Sequence, residues 1–268
     1  MDLKHQIHQI MGKQRRLSSL TQYKNKGQID RFCDMVQNRY GLQKIQHLKT
    51  KHVLGVISEL QQNGKSNSTQ ASYATAARTV ANGIGKQNIV PRKNKDLGIS
   101  RAGDRLKPVK ADENGLRAVT ARLHSRAEWL GLASEMRSQF GLRAKESLLS
   151  CEVIDNKLQV KGAKGGRHRE VPIRTQAQGD LVNRLREHVT SRGQKTLVPA
   201  DLNLKKALQI QRDALVEADA KKDTASHAHA ARHAYAQWLA ERGLSAIEIA
   251  EELGHSRPDV VSHYVPKG

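Results

Sequence analysis

The chain has 268 residues, 46 Lys and Arg against 26 Asp and Glu, a formal net charge of +20 and a pI of about 10.2. Hydrophobic residues make up 37% and aromatics only 3%, so a core must rest on Leu, Ile, Val and Ala, in two modest domains or one large one. No apolar run approaches the roughly 18 residues of a membrane span, residues 1–16 lack the apolar block of a signal peptide, and Cys33 and Cys151 are too few for a disulfide framework. A secreted or membrane protein is therefore excluded, and a soluble, cytoplasmic one is expected.

The first hundred residues read as helices separated by short polar breaks. A helix is predicted over 17–40, with apolar positions at Leu20, Ile29, Phe32, Met35 and Val36 and a stop at Gly41. A shorter one follows over 52–60. Ser66 or Ser68 can cap a third, which runs through Tyr73, Ala76, Ala77 and Val80 to Gly83. Residues 84–110 lose periodicity and are rich in Lys, Arg, Pro and Gly. The expected division is a helical domain over 1–100, a basic linker over 101–111 and a second domain over 112–268.

That second domain is expected to be mainly helical with a small antiparallel sheet. Helices are predicted over 113–123 and 126–140, then strands over 148–154, 157–161 and 168–173, with Asp155-Asn156 turning between the first two. Helices return over 178–190, 202–218, 227–242 and 245–253.

Charge is unevenly distributed. Residues 1–110 carry 21 basic and 6 acidic side chains, whereas residues 111–268 carry 25 and 20. Such an excess in about 110 residues is the electrostatic footprint of a polyanion-binding surface, and nucleic acid is the commonest such partner. An anionic membrane fits less well, because no basic amphipathic segment carries Trp or Phe on its apolar face. Lys65 and Arg78, beside and on the helix that ends at Gly83, are candidate phosphate contacts.

Five separate pieces of the second domain carry chemistry. They are Gly141-Leu142-Arg143-Ala144-Lys145-Glu146, Lys161-Gly162-Ala163-Lys164 on a predicted strand–turn–strand, His229-Ala230-Ala231-Arg232, Leu253-Gly254-His255, and Tyr264 nine residues further on. Each alone has an ordinary reading, as a surface arginine, a solvated lysine or a packing tyrosine. In this order and spacing the set resembles the tyrosine recombinases, or phage integrase family, over most of residues 112–268. The one departure inside a motif is Ala231, where the family usually has Leu.

The resemblance implies a two-domain architecture, with a helical core-binding domain ahead of an α+β catalytic domain. It implies a site-specific recombinase that cuts and rejoins duplex DNA through a 3′-phosphotyrosyl intermediate and Holliday-junction exchange. Arg143, Lys164, His229, Arg232, His255 and Tyr264 would be the catalytic set, with Glu146 and His233 in support. Double-stranded DNA is the expected partner, in a homotetramer on two DNA sites, with an accessory DNA-bending or directionality factor an open addition and no membrane partner. Neither a metal nor a nucleotide cofactor is implied. His227, His229 and His233 could share a metal by spacing, but no acidic or cysteine partner stands near and Arg232 would repel a dication. A further arm-binding domain finds no room before the first helices, and only Val265 to Gly268 follow Tyr264, which leaves the docking of protomers open.

Two alternatives share these features. One is a single-site breaker and rejoiner of the type IB topoisomerase kind, the other a catalytically silent DNA-binding regulator.

Overall fold

The computed structural model describes residues 2–12, 19–100, 111–161, 168–220 and 229–265. By its contacts the chain divides into two compact units, Met1–Arg105 and Leu106–Gly268, each with its own apolar core. The basic linker expected over 101–111 lies, apart from Ala111, outside the described residues.

Among the described residues, the first unit has four α-helices: α1 Leu3–Met11, α2 Ser19–Tyr40, α3 Thr50–Gln62 and α4 Asn67–Gly83. Of the two candidate caps, Ser66 and Ser68, it is Ser66 that caps α4, accepting the Thr69 N–H at 3.3 Å. On α3, Val53, Val56, Ile57 and Leu60 recur at helical spacing and are all buried. The α4 stripe is small, with Ala71, Ala74, Ala77 and Ala81, which lets α4 lie close against α2 and its Phe32, Cys33 and Val36. Helix α1 was not anticipated from sequence. Its apolar content is sparse, but Leu3 and Ile7 are four apart and fully buried, and Asp2 caps it through the His5 N–H at 2.8 Å.

The second unit runs α5 Glu113–Arg126, α6 Glu128–Phe140, α7 Ala144–Leu149, β1 Val153–Ile154, β2 Lys157–Val160, β3 Arg169–Pro172, α8 Gln176–Thr190, α9 Leu204–Glu217, α10 Ala230–Glu241 and α11 Ala246–Leu253, then a 3-10 helix Pro258–His263. The three strands are antiparallel in the order β1-β2-β3. Asp155 and Asn156 join β1 to β2 with φ of 47° and 58°, the double left-handed geometry that matches the twist of a tight hairpin. Leu158 pairs with Val171, and both point into the core with Phe140, Leu148 and Leu185.

One expectation needs correction. The strand predicted over 148–154 is only Val153–Ile154, because Leu148 and Leu149 close helix α7. A short apolar run fits either element by periodicity. Here Glu146 reaches back to accept the Arg143 N–H at 2.9 Å, which anchors the first turn and decides for helix.

His124 ties α5 to α6. Its Nδ1 lies 2.8 Å from a Glu128 carboxylate oxygen and its Nε2 2.6 Å from Glu135, which also takes the Arg184 fork from α8. Burial works against the imidazolium, but the bonds to Glu128 and Glu135 outweigh it and raise the His124 pKa above 6.5. A raised folded-state pKa means that this contribution is complete below about 6.5 and is lost as pH rises through the folded value. Thermal melts of wild type and His124→Gln should therefore differ most near about pH 6 and converge toward about pH 9. A gap that widened with pH would contradict the assignment.

Candidate active site

Two helix ends build the site. Helix α6 stops at Gly141, where φ is +61° and an added Cβ would stand 2.5 Å from Tyr235 Cδ1. Only glycine fits there, and the chain turns at once to place Arg143 at the start of α7. Helix α11 stops at Gly254, with φ of +69°. Its last carbonyls would otherwise lack partners, and three arginines distant in sequence take them. Arg169 Nε donates to the Glu252 oxygen at 2.7 Å, Arg232 Nη2 donates to the Leu253 oxygen, and Arg143 Nη2 approaches the Gly254 oxygen at 3.4 Å. The negative end of the helix is thus a template for guanidinium groups.

Arg232 is the most enclosed of these, at 1% exposure. Its Nη1 donates to the Gly141 oxygen at 2.5 Å, which links the two helix ends through one side chain. Burial and the charge of Arg143 lower its pKa to about 10, with Tyr264 acting in the opposite sense, so the guanidinium stays charged at neutral pH. Its Nε has no hydrogen-bond partner among the described residues. A buried cationic donor left open is costly unless a ligand completes it.

Glu146 is fully buried and accepts from both the Arg143 N–H at 2.9 Å and Arg143 Nη1 at 2.8 Å. Arg169 adds a two-pronged contact, Nη1 at 3.2 Å and Nη2 at 3.0 Å. Burial alone would push the carboxyl up, but Arg169 and then Arg143 outweigh it and hold its pKa at about 2. The carboxylate is thus bonded to Arg143, while the larger share of its stabilisation comes from Arg169, which the sequence pattern does not single out.

His255 follows Gly254, with its Nε2 3.1 Å from Arg232 Nη2. Burial first, then Arg232, Arg143 and Arg169, depress its pKa to about 4, so the ring is neutral at physiological pH. Since the arginine can only donate, Nε2 must accept and the ring proton sits on Nδ1.

Tyr264 closes the 3-10 helix and is half-buried against the core. Its ring lies 4.7 Å from the His233 ring and 5.5 Å from the His255 ring, with the Arg232 guanidinium carbon 5.8 Å from its centroid. Gln237 Nε2 holds the Tyr264 carbonyl at 3.0 Å. Tyr264 is thus a seated residue rather than the tip of a free tail.

The fold brings Arg143, Glu146, Arg232, His233, His255 and Tyr264 together. His229 is exposed just before α10, and its carbonyl accepts the Arg232 and His233 N–H groups at 3.1 and 3.2 Å. Lys164, on the hairpin between β2 and β3, lies outside the described residues, as does His227. In the first unit Lys65 is exposed. Arg78 is partly buried there and donates through Nε to the Pro91 oxygen and through Nη1 to Asn94, both at 2.9 Å.

Sequence reading missed Arg169, and also the cluster behind it. Glu252 takes both Arg174 prongs at 2.7 Å and the Tyr235 hydroxyl. Tyr235 is 3% exposed, and burial together with Glu252 drives its pKa far up. It is a fixed donor, unsuited to act as a nucleophile.

Comparison with known proteins bears on the same residues. Several solved structures share the fold. A lambda integrase(75-356) dimer bound to a COC′ core site is 16% identical over 94% of this chain and 90% of that one, with a TM-score of 0.66. A lambda integrase tetramer bound to a Holliday junction is 16% identical over 97% and 75%, at 0.68. XerH site-specific recombinase bound to difH is 18% identical over 99% and 81%, at 0.64. No curated protein matches the chain. The model of the phage integrase family matches residues 116–267, a span that takes in both helix-end turns, the arginines gathered on them and Tyr264. By that match this chain belongs to the phage integrase family.

Proposed function

We propose that this protein is a site-specific DNA recombinase that uses Tyr264 as nucleophile, with neither metal nor nucleotide cofactor. The observation that carries the reading is the buried, charged Arg232, its Nε unpaired among the described residues, beside Arg143, neutral His255 and the Tyr264 ring. Two guanidinium forks suit the non-bridging oxygens of a phosphodiester and the charge that grows on them in the transition state.

The Tyr264 oxygen attacks phosphorus, the bond from phosphorus to the 5′-oxygen breaks, and a 3′-phosphotyrosyl link forms. Lys164 gives the leaving 5′-oxygen its proton. His229 takes the proton of the tyrosine hydroxyl, and His255 donates from Nδ1 to a phosphate oxygen. Attack by a 5′-hydroxyl of a second strand reverses these steps and frees the tyrosine. The dimer on a core site and the tetramer on a Holliday junction belong to lambda integrase. We extend the same assembly, four copies on two duplex sites, to this chain.

The test uses a nicked suicide duplex carrying the protein's own site, recovered by binding selection from random-sequence DNA. Wild type should leave a covalent protein–DNA adduct on a denaturing gel, undiminished by EDTA. Absence of the adduct would favour the silent DNA-binding regulator. Supercoil relaxation without recombinant products would favour the topoisomerase-like alternative.

The N-terminal unit is proposed as the main phosphate-binding surface, with the exposed Lys65 among its contacts. Removing residues 1–105 should weaken DNA binding and flatten its salt dependence, because each neutralised phosphate adds about 0.9 to the slope of log K against log salt. Equal slopes for the full chain and the 106–268 fragment would overturn this division.

A further inference from the structure

We propose that Arg169 is a positioning residue of the active site: it clamps Glu146 and the Glu252 carbonyl together, and thereby fixes Arg143 and the Gly254–His255 turn around the scissile phosphate. The proposal rests on the recombinase reading above and adds to it a residue outside the constellation that sequence spacing picks out.

Three observations converge on it. Arg169 uses both ends of its fork on the buried Glu146 carboxylate and its Nε on Glu252, so one side chain joins β3, α7 and the end of α11. It is 9% exposed at the side chain, too enclosed for a surface ion pair. Gly254 also makes room for it, since an added Cβ there would stand 2.9 Å from Arg169 Nη1 and 3.2 Å from its Cδ. The glycine of the Leu253-Gly254-His255 box is therefore required twice, by its backbone angle and by the arginine lying across it.

The direction of action follows from the contacts. Glu146 holds Arg143 through two bonds, and Glu146 is itself held by Arg169. A carboxylate kept by one arginine alone would pivot toward it, carrying the Arg143 fork off the phosphate oxygens. Misplacement of about 1 Å is enough to cost on the order of 10²-fold in rate. Arg169 touches no reacting atom in this scheme. Its effect should resemble that of Arg143 and differ from that of Lys164, although Lys164 is only five residues before Arg169 in sequence.

The experiment measures single-turnover cleavage of the suicide duplex by wild type, Arg169→Lys and Arg169→Met, with DNA affinity and thermal melting alongside. Arg169→Lys keeps the charge but loses the second prong and the Nε bond. It should fold, bind DNA within about threefold of wild type, and cleave on the order of 10–100-fold more slowly. A duplex with sulfur at the bridging 5′ position, whose leaving group needs little protonation, should not restore that rate. In Glu146→Gln the change at Arg169 should cost less than in wild type, because the two act through one path. Cleavage by folded Arg169→Lys within twofold of wild type would overturn the proposal. So would full rescue by the bridging sulfur, which would place Arg169 with the acid, or failure of both variants to fold, which would leave it a structural role alone. If wild type itself forms no adduct, the recombinase reading fails instead.

Discussion

Arg143→Lys should cut strand cleavage by about 10²–10³-fold while leaving DNA binding nearly unchanged. Lysine keeps the positive charge that attracts the phosphate, so affinity survives. It loses the planar fork that meets two oxygens at once, and it cannot reproduce the bond to Glu146 together with the approach to the Gly254 carbonyl. The loss falls on the transition state, where the oxygens carry more charge than in the bound substrate. Lys164→Ala should also spare binding and slow cleavage by about 10²–10⁴-fold, but for another reason, since it removes the proton for the leaving 5′-oxygen. A 5′-bridging sulfur separates the two, because a thiolate leaves without help. It should restore Lys164→Ala toward wild type and leave Arg143→Lys impaired. Equal rescue of both variants would show that the acid lies elsewhere, with Lys161 and Arg167 on the same hairpin as the next to test.

The residues legible in the sequence were those whose role is carried by local spacing. Gly141 and Gly254 announce two helix ends, and the side chains that the family pattern picks out stand one or two positions beyond them, at Arg143 and His255. Helix α4 is readable from a serine cap, at Ser66 or Ser68, and from Tyr73, Ala76, Ala77 and Val80 ahead of Gly83. What could not be read depends on distant segments meeting. Arg169 sits among Lys161, Lys164, Arg167 and His168, and nothing local distinguishes a solvated hairpin arginine from one that spans α7 and α11. Glu251 and Glu252 are adjacent carboxylates on α11, yet the first is exposed while the second is buried under Arg174 and Tyr235. Arg78 is a candidate phosphate contact by sequence, and only the structure shows it engaged by Pro91 and Asn94. Leu148 and Leu149 fit a strand as well as a helix until Glu146 is seen to close the first turn of α7.

Tyr264→Phe should abolish the covalent adduct and all recombinant product. Of the five tyrosines, Tyr23, Tyr40 and Tyr73 belong to the first unit, and Tyr235 is buried with its hydroxyl bound to Glu252. Tyr264 alone stands with its ring beside the rings of His233 and His255 and below the Arg232 guanidinium. The substitution removes one oxygen and keeps the ring that packs there, while the Gln237 bond to the backbone carbonyl is untouched. Stability should therefore change by no more than about 1 kcal/mol, and site-specific binding should persist. Phenylalanine has no atom that can join phosphorus, and no water-dependent bypass would leave protein attached to DNA. Tyr235→Phe is the matched control. It should still give the adduct, at a lower melting temperature, because the buried Glu252 carboxylate loses a donor. A labelled adduct from Tyr264→Phe, or its loss in a folded Tyr235→Phe, would move the nucleophile off Tyr264 and dismantle the site built around it.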